Sequence, residues 1–255
     1  ALAAREEGAN VSIIERAPAE RRGGNSGFSG GIFRFAFRSF DEIRPLLAES
    51  PTLPFTRVEV EPYPADSFHN DLIRVTEGLA DPTLTKLLVE ESLPTVSWMA
   101  SRGLVWEMYL THASKRGEKF VWRSGTVPVM ARGGGRGLVD MLFDIVDQTG
   151  IPIHYGIRAV GLLADSSGAV YGVLAQTPEG TKEFRAKATI LACGGFEANP
   201  EMRARYLGPG WDLVKVRGTR YNTGDGLRMS LEMGAVPFGH WSGCHASVID
   251  AEAAD

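Results

Sequence analysis

Along the first fifteen residues the apolar positions fall into two groups separated by a glycine. Leu2, Ala3 and Ala4 lead into Arg5-Glu6-Glu7-Gly8, the pattern of a helix that ends with glycine at its C-terminal stop. Val11-Ser12-Ile13-Ile14-Glu15 follows as a strand. Together they make the second half of a β-α-β unit. The chain therefore reads as a fragment, with the glycine fingerprint of a dinucleotide fold expected before Ala1 and further chain expected after Asp255.

Further on, Phe33, Phe35, Phe37 and Phe40 alternate with Arg34, Arg38 and small residues, which predicts a half-buried extended segment. Arg34 and Arg38 could face an anion. From Ser67 to Gly103 the period turns helical. Ser67 is expected to cap a helix containing Leu72, Ile73 and Val75, and Asp81-Pro82 is an N-cap followed by proline at the first helical position. Leu84, Leu87 and Leu88, then Leu93, Val96, Trp98 and Met99, predict apolar faces, with Pro94 marking a break between two helices. Leu138, Met141, Leu142, Ile145 and Val146 give a clear amphipathic helix. The glycines that open it, Gly133 to Gly135, suit either an anion or a plain loop. Ile151 to Tyr155 reads as a strand.

Arg158 to Lys187 reads as a run of short strands, with turn signals at Asp165-Ser166-Ser167-Gly168 and Pro178-Glu179-Gly180. Ala188 to Cys193 is apolar without alternation, which predicts a strand buried on both faces of a parallel sheet. Cys193 is then expected to be a small buried hydrophobe. Asn199-Pro200 caps the next helix, and Asn222-Thr223-Gly224-Asp225-Gly226 precedes a last one with Leu227, Met229, Leu231 and Met233.

The 255 residues, 44% hydrophobic and 23% charged, are ordinary for one large globular domain or a domain and part of another. A net charge of −4 gives no reason to expect nucleic acid as a partner. No apolar run approaches the ~20 residues of a membrane span. Two cysteines make no disulfide framework and no metal spacing, which fits a reducing, cytoplasmic setting. His69 and His112 lack ligand-like partners, and His240, Cys244 and His245 lack the remaining ligands of a metal site, so no metal is expected.

The candidate chemistry lies in the glycines. Five fall in the nine positions from Gly23 to Gly31, with Asn25 and Ser26 between them, and two further glycine turns follow at Ala192-Cys193-Gly194-Gly195 and at Thr223-Gly224-Asp225-Gly226. Such runs build no packed element but let backbone N–H groups approach a flat or anionic ligand. Glu15, closing its strand, is placed to accept from ribose hydroxyls, or is simply a carboxylate in solvent.

Glu15-Arg16-Ala17-Pro18, then Gly24-Asn25-Ser26 and Gly30-Gly31, resembles the flavoprotein family of fumarate reductase and succinate dehydrogenase subunits and 3-ketosteroid dehydrogenases. Within it, the run from Arg22 to Phe35 is most similar to the tricarballylate dehydrogenases. The resemblance implies an α/β fold, a Rossmann-like FAD-binding domain of the glutathione reductase type with an inserted β-meander, over residues 1–233. Residues 234–255 would begin a substrate-capping domain. It implies FAD held by Glu15, by the loop residues Gly23, Gly24, Asn25, Ser26, Gly30 and Gly31, by backbone at Val160 beside the adenine, by Ala192, Gly194 and Gly195, and by Thr223, Gly224 and Asp225. Cys193 stands where the family has Thr. Asn25 stands where succinate dehydrogenases carry a flavin-bonding His, so the FAD is expected to be non-covalent. His245 falls where the family places a histidine for a substrate carboxylate.

The implied reaction is oxidation of a carbon–carbon bond in a small-molecule polycarboxylate, tricarballylate to cis-aconitate, with electrons leaving to an unidentified acceptor. Fumarate-type reduction, 3-ketosteroid dehydrogenation and a non-catalytic nucleotide-binding module are the alternatives. No catalytic acid or base can be named; by the resemblance it would lie beyond Asp255.

Overall fold

The computed structural model describes residues 1–244 together with Asp250 and Glu252. Two compact units divide the chain. One comprises Ala1–Phe28 and Val146–Asp255, and the other the intervening Ser29–Ile145.

The first unit begins as the pattern predicts, with α1 (Leu2–Glu6) and β1 (Ile13–Glu15). Gly8, at φ +82°, takes the left-handed conformation that ends the helix. The glycine-rich run coils into a short 3₁₀ helix, Gly24–Phe28, that buries none of its residues.

The second unit holds an aromatic core. In chain order it carries β2 (Ile32–Phe33), α2 (Phe40–Ile43), β3 (Val58–Val60), α3 (Ala65–Val75) and α4 (Pro82–Ser101). Then come β4 (Trp106–Met108), β5 (Ser114–Arg116), β6 (Lys119–Trp122), β7 (Val129–Ala131) and α5 (Gly134–Thr149), whose last residues belong to the first unit. Two three-stranded sheets form, in the orders β2-β7-β4 and β3-β6-β5. Phe35 and Phe37 are buried while Arg34 and Arg38 are exposed, so the alternation seen in the sequence is real. Trp106 and Trp122 are fully buried with both indole N–H groups donating to backbone carbonyls, of Val96 and Tyr109.

Three helix expectations in this unit are corrected. Ser67 lies inside α3, not at its cap: Pro64 fixes the extended N-cap and Asp66 places an acid in the first turn. Pro94 does not break α4, which runs unbroken from Pro82 to Ser101. The buried seam of that helix is Thr85, Val89, Ser92, Val96 and Met99, spaced four and three, while Leu84, Leu87 and Leu88 are exposed. Thr85 and Ser92 can be buried because their hydroxyls donate back to the carbonyls of Asp81 and Val89.

The chain then returns to the first unit with β8 (Ile153–Tyr155), which pairs in parallel with β1, Glu15 facing Tyr155. The predicted meander follows as β9 (Arg158–Ala164), β10 (Val170–Thr177) and β11 (Gly180–Arg185), an antiparallel sheet in the order β11-β10-β9. Asp165 closes the first hairpin by accepting from the N–H groups of Ser167 and Ala169. The helices α6 (Pro200–Leu207) and α7 (Asp225–Glu232) complete the unit.

Residues 188–193 depart from expectation. Among the described residues this stretch pairs with no strand, and it is exposed, Ile190 by 76%. A strand buried on both faces needs a ladder partner on at least one edge. The parallel sheet here consists of β1 and β8, and residues 188–193 join neither. Cys193 is accordingly exposed and not buried.

Candidate functional site

Within the first unit, three of the turns singled out in the sequence converge. Asn222 is the hinge between them. A Cβ added to Gly194, which sits at φ +69°, would stand 2.6 Å from Asn222 Nδ2, and one on Gly24 would reach Asn222 Oδ1 at 4.0 Å. Glycine is thus required at 194 on two grounds, a left-handed backbone and a side chain pressed against it. The carbonyl of Asn222 accepts from Ala198 N at 2.9 Å, and that of Gly195 accepts from Gly224 N at 3.0 Å. The Ala192–Gly195 turn and the Thr223–Asp225 turn are therefore bonded to each other. Asn199 adds a further tie. Its side chain caps α6 by accepting from Met202 N and donates to the carbonyl of Thr223 at 3.0 Å.

The first glycine loop joins through Asn25. Its Oδ1 accepts from Thr219 N at 2.9 Å, and a Cβ on Gly218 would lie 2.6 Å from that same oxygen. Gly23 and Gly24 both take positive φ, and Ser26 is exposed on the 3₁₀ turn. Gly30 and Gly31 lie in the other unit. Gly31, buried at φ +62°, has its carbonyl accepting from Ala131 N, and an added Cβ would meet the carbonyl oxygen of Gly134 at 2.6 Å. The Gly134 region expected as a possible anion site is thus close-packed backbone.

Asp225 is the electrostatic centre of the assembly. Its carboxylate accepts two bonds from Arg158, at 3.0 and 2.7 Å, and one from Arg16 at 3.1 Å. Arg16 also donates to Thr223 Oγ1 and to the carbonyl of Tyr221. Burial pushes the Asp225 carboxyl up, but the Arg158 bonds with the charges of Arg158, Arg16 and Arg228 outweigh it and hold the group below the usual carboxylate range. The carboxylate is therefore committed to protein cations. Glu15 is half-buried, and its Oε1 accepts from Ala17 N at 2.7 Å. The carbonyl of Val160 accepts from Arg228 Nη2 at 2.8 Å. Cys193 is exposed as a residue, but its thiol packs toward Gly226, and this partial desolvation, then the nearby charge of Asp225, pushes it up.

Sequence reasoning gave no roles to Arg16, Arg158, Asn199 or Asn222 in joining the turns. Arg16 and Asn222 lie inside quoted motifs, so their position was visible but not their partner. Arg158 stands 67 residues from Asp225, and nothing local signals that pairing. Arg34 and Arg38, candidates for an anion, have protein partners instead: Arg34 donates to the carbonyl of Gly125, and Arg38 pairs with Glu42. His112 accepts from Val127 N. His245 lies outside the described residues.

The geometry fits a flavin nucleotide in one specific respect. Among the described residues, the N–H groups of Gly194 and Gly195 have no protein acceptor, on a turn that is exposed at Gly194 and half-buried at Gly195.

This chain belongs to the FAD-binding domain family, whose model matches residues 1–240. FAD is the cofactor, as the glycine turns and their resemblance led us to expect. The cytochrome-type fumarate reductase of Shewanella frigidimarina is 29% identical over 206 residues, 80% of this chain and 32% of that protein. Urocanate reductase of Eggerthella lenta is 28% identical over 212 residues, 81% of this chain and 31% of that protein. Among solved structures, the open conformation of a flavocytochrome c3 fumarate reductase superposes with a TM-score of 0.69 at 26% identity, covering 92% of this chain and 38% of that one. The chain thus spans about a third of the length of the curated relatives it matches. No helix among the described residues is long and apolar enough to cross a membrane.

Proposed function

We propose that this chain is the FAD-gripping portion of an oxidoreductase that moves hydrogen across a carbon–carbon bond of a polycarboxylate, with tricarballylate oxidised to cis-aconitate as the favoured reaction. The observation that carries the reading is the convergence of the turns at Gly24-Asn25, Gly194-Gly195 and Thr223-Gly224 around Asn222. In this proposal Glu15 accepts from the ribose, the N–H groups of Gly194 and Gly195 meet the cofactor's polar edge, Val160 and Ala192 contribute backbone, and Gly23, Asn25 and Ser26 flank the flavin. Asp225, Arg16 and Arg158 hold the turns in place. Bound FAD supplies the hydride acceptor or donor. Asn25 in place of a histidine supports non-covalent attachment.

Residues 1–233 make the FAD-binding domain and residues 234–255 begin a capping region, in which His245 would bind a substrate carboxylate. The similarity of Arg22–Phe35 to tricarballylate dehydrogenases supports that substrate; the fumarate reductases among the relatives support the runner-up, reduction of an unsaturated dicarboxylate. The free thiols of Cys193 and Cys244 support a cytoplasmic setting, and the electron acceptor is a separate redox carrier.

The test is anaerobic titration of the full-length flavoprotein with tricarballylate, succinate and a 3-ketosteroid in turn, and of its reduced form with urocanate. Bleaching of the flavin by tricarballylate is the expected result. Bleaching by the steroid alone would remove the polycarboxylate reading.

A further inference from the structure

The segment from Val214 to Arg220 is a strap fixed at both ends. At one end Arg203, only 7% exposed, spends its guanidinium on four backbone carbonyls, those of Glu197, Trp211, Asp212 and Val214, at 2.5 to 3.2 Å. At the other end Thr219 N donates to Asn25 Oδ1, and the carbonyl of Tyr221 accepts from Arg16. Between these anchors Val214 leaves the short 3₁₀ turn with an extended backbone and Gly218 bends the chain. Val214, Val216 and Arg220, with Ala198, Arg203 and Thr219, line a cavity of about 220 Å³. Lys215 and Arg217 do not reach it.

The chemistry of that cavity is one-sided. Two guanidinium groups border it, and no Asp or Glu does. Arg203 gives four of its five N–H donors to backbone carbonyls. Arg220 makes no ion pair among the described residues; its guanidinium lies over the Tyr221 ring at 5.5 Å, exposed to whatever enters. The remaining wall is aliphatic, from Ala198, Val214 and Val216. A free planar cation beside a short apolar wall suits a carboxylate on an aliphatic body. The volume falls below the ~300–1,000 Å³ of sites for drug-sized ligands, which restricts the guest to a small acid. The cavity also adjoins the flavin loop, because Thr219, one of its lining residues, is bonded to Asn25.

We infer that this cavity is a carboxylate-binding subsite for the substrate, with Arg220 as its cation, Thr219 as its polar wall and Arg203 as the residue that holds the strap in shape. The inference rests on the polycarboxylate reading above and adds to it a specificity determinant in the FAD-binding unit itself.

The experiment uses the full-length flavoprotein and two variants, Arg220→Gln and Arg220→Lys. Three quantities are measured: flavin content, tricarballylate affinity by anaerobic calorimetry without an electron acceptor, and KM against kcat. Losing one charge-assisted pair predicts about a tenfold to hundredfold weaker affinity in R220Q, with a matching rise in KM, unchanged flavin content and partial recovery in R220K. Unchanged affinity in R220Q overturns the subsite, and so does parallel loss of flavin, which would assign the cavity to the cofactor. If no carboxylate binds or bleaches even the wild-type flavin, the polycarboxylate reading itself falls, and the subsite with it.

Discussion

Asp225 is where single-residue chemistry decides the site. Its three bonds from Arg158 and Arg16 bring the end of β1, the start of β9 and the start of α7 to one point. Its folded-state carboxyl lies below the ordinary range, so its contribution to stability is fully present above that range and is lost as pH falls through it. Asp225→Asn is expected to cost about 1–3 kcal/mol in denaturant unfolding at pH 7. The gap to wild type should begin to narrow below about pH 4, where the unfolded carboxylate takes up a proton, and close as the pH falls through the lower folded-state value. A gap independent of pH would show that packing, not charge, is what Asp225 supplies. At this scale the sequence was a partial guide. The acid of Thr-Gly-Asp-Gly was visible as special, but its cationic partners are distant in the chain, and distance in sequence hides them.

The elements show which local signals were trustworthy. Caps with a side-chain acceptor were legible: Asp81 and Asn199 both accept from the N–H three residues on. Asn199→Ala should lower stability by about 1 kcal/mol from the cap alone. It should lower it further through the lost bond to Thr223, and a drop within that cap value would mean the second bond contributes nothing. Proline misled. Pro94 is exposed in mid-helix, and the seam from Thr85 to Met99 keeps α4 intact through it. Replacing it with alanine restores a backbone donor, so Pro94→Ala should raise the unfolding free energy by about 1 kcal/mol or more. A fall would reveal packing of the ring. The seam itself was hidden because Thr85 and Ser92 read as polar, although each hydroxyl is satisfied within its own helix turn. Residues 188–193 failed for a different reason. Their composition predicts burial, but burial of a strand is a property of the neighbours it pairs with, and no composition encodes those.

For the whole molecule, the two units carry different weights. The unit of Ser29–Ile145 is an aromatic core with two small sheets, and the unit of Ala1–Phe28 and Val146–Asp255 collects the glycine turns. The fold class and the cofactor were legible because glycine spacing survives as a backbone requirement: Gly194 and Gly224 both need left-handed φ and both stand against a neighbouring side chain. On the proposal that Asn25 flanks the flavin where a histidine would be needed for a covalent bond, acid precipitation of the full-length protein should release all of its flavin into the supernatant. Flavin retained on the precipitate would refute non-covalent attachment.

The central claim is that the turns gathered around Asn222 hold FAD. Its most direct test is the FAD dissociation constant of the full-length protein, measured by flavin fluorescence, for wild type and Gly194→Ala. A Cβ at 194 presses on Asn222 and forces a non-glycine residue into left-handed backbone, at about 1–3 kcal/mol of strain. The predicted result is at least about tenfold weaker FAD binding in G194A, with far-ultraviolet circular dichroism unchanged. Equal affinity in a folded G194A protein would place the cofactor elsewhere and contradict the account.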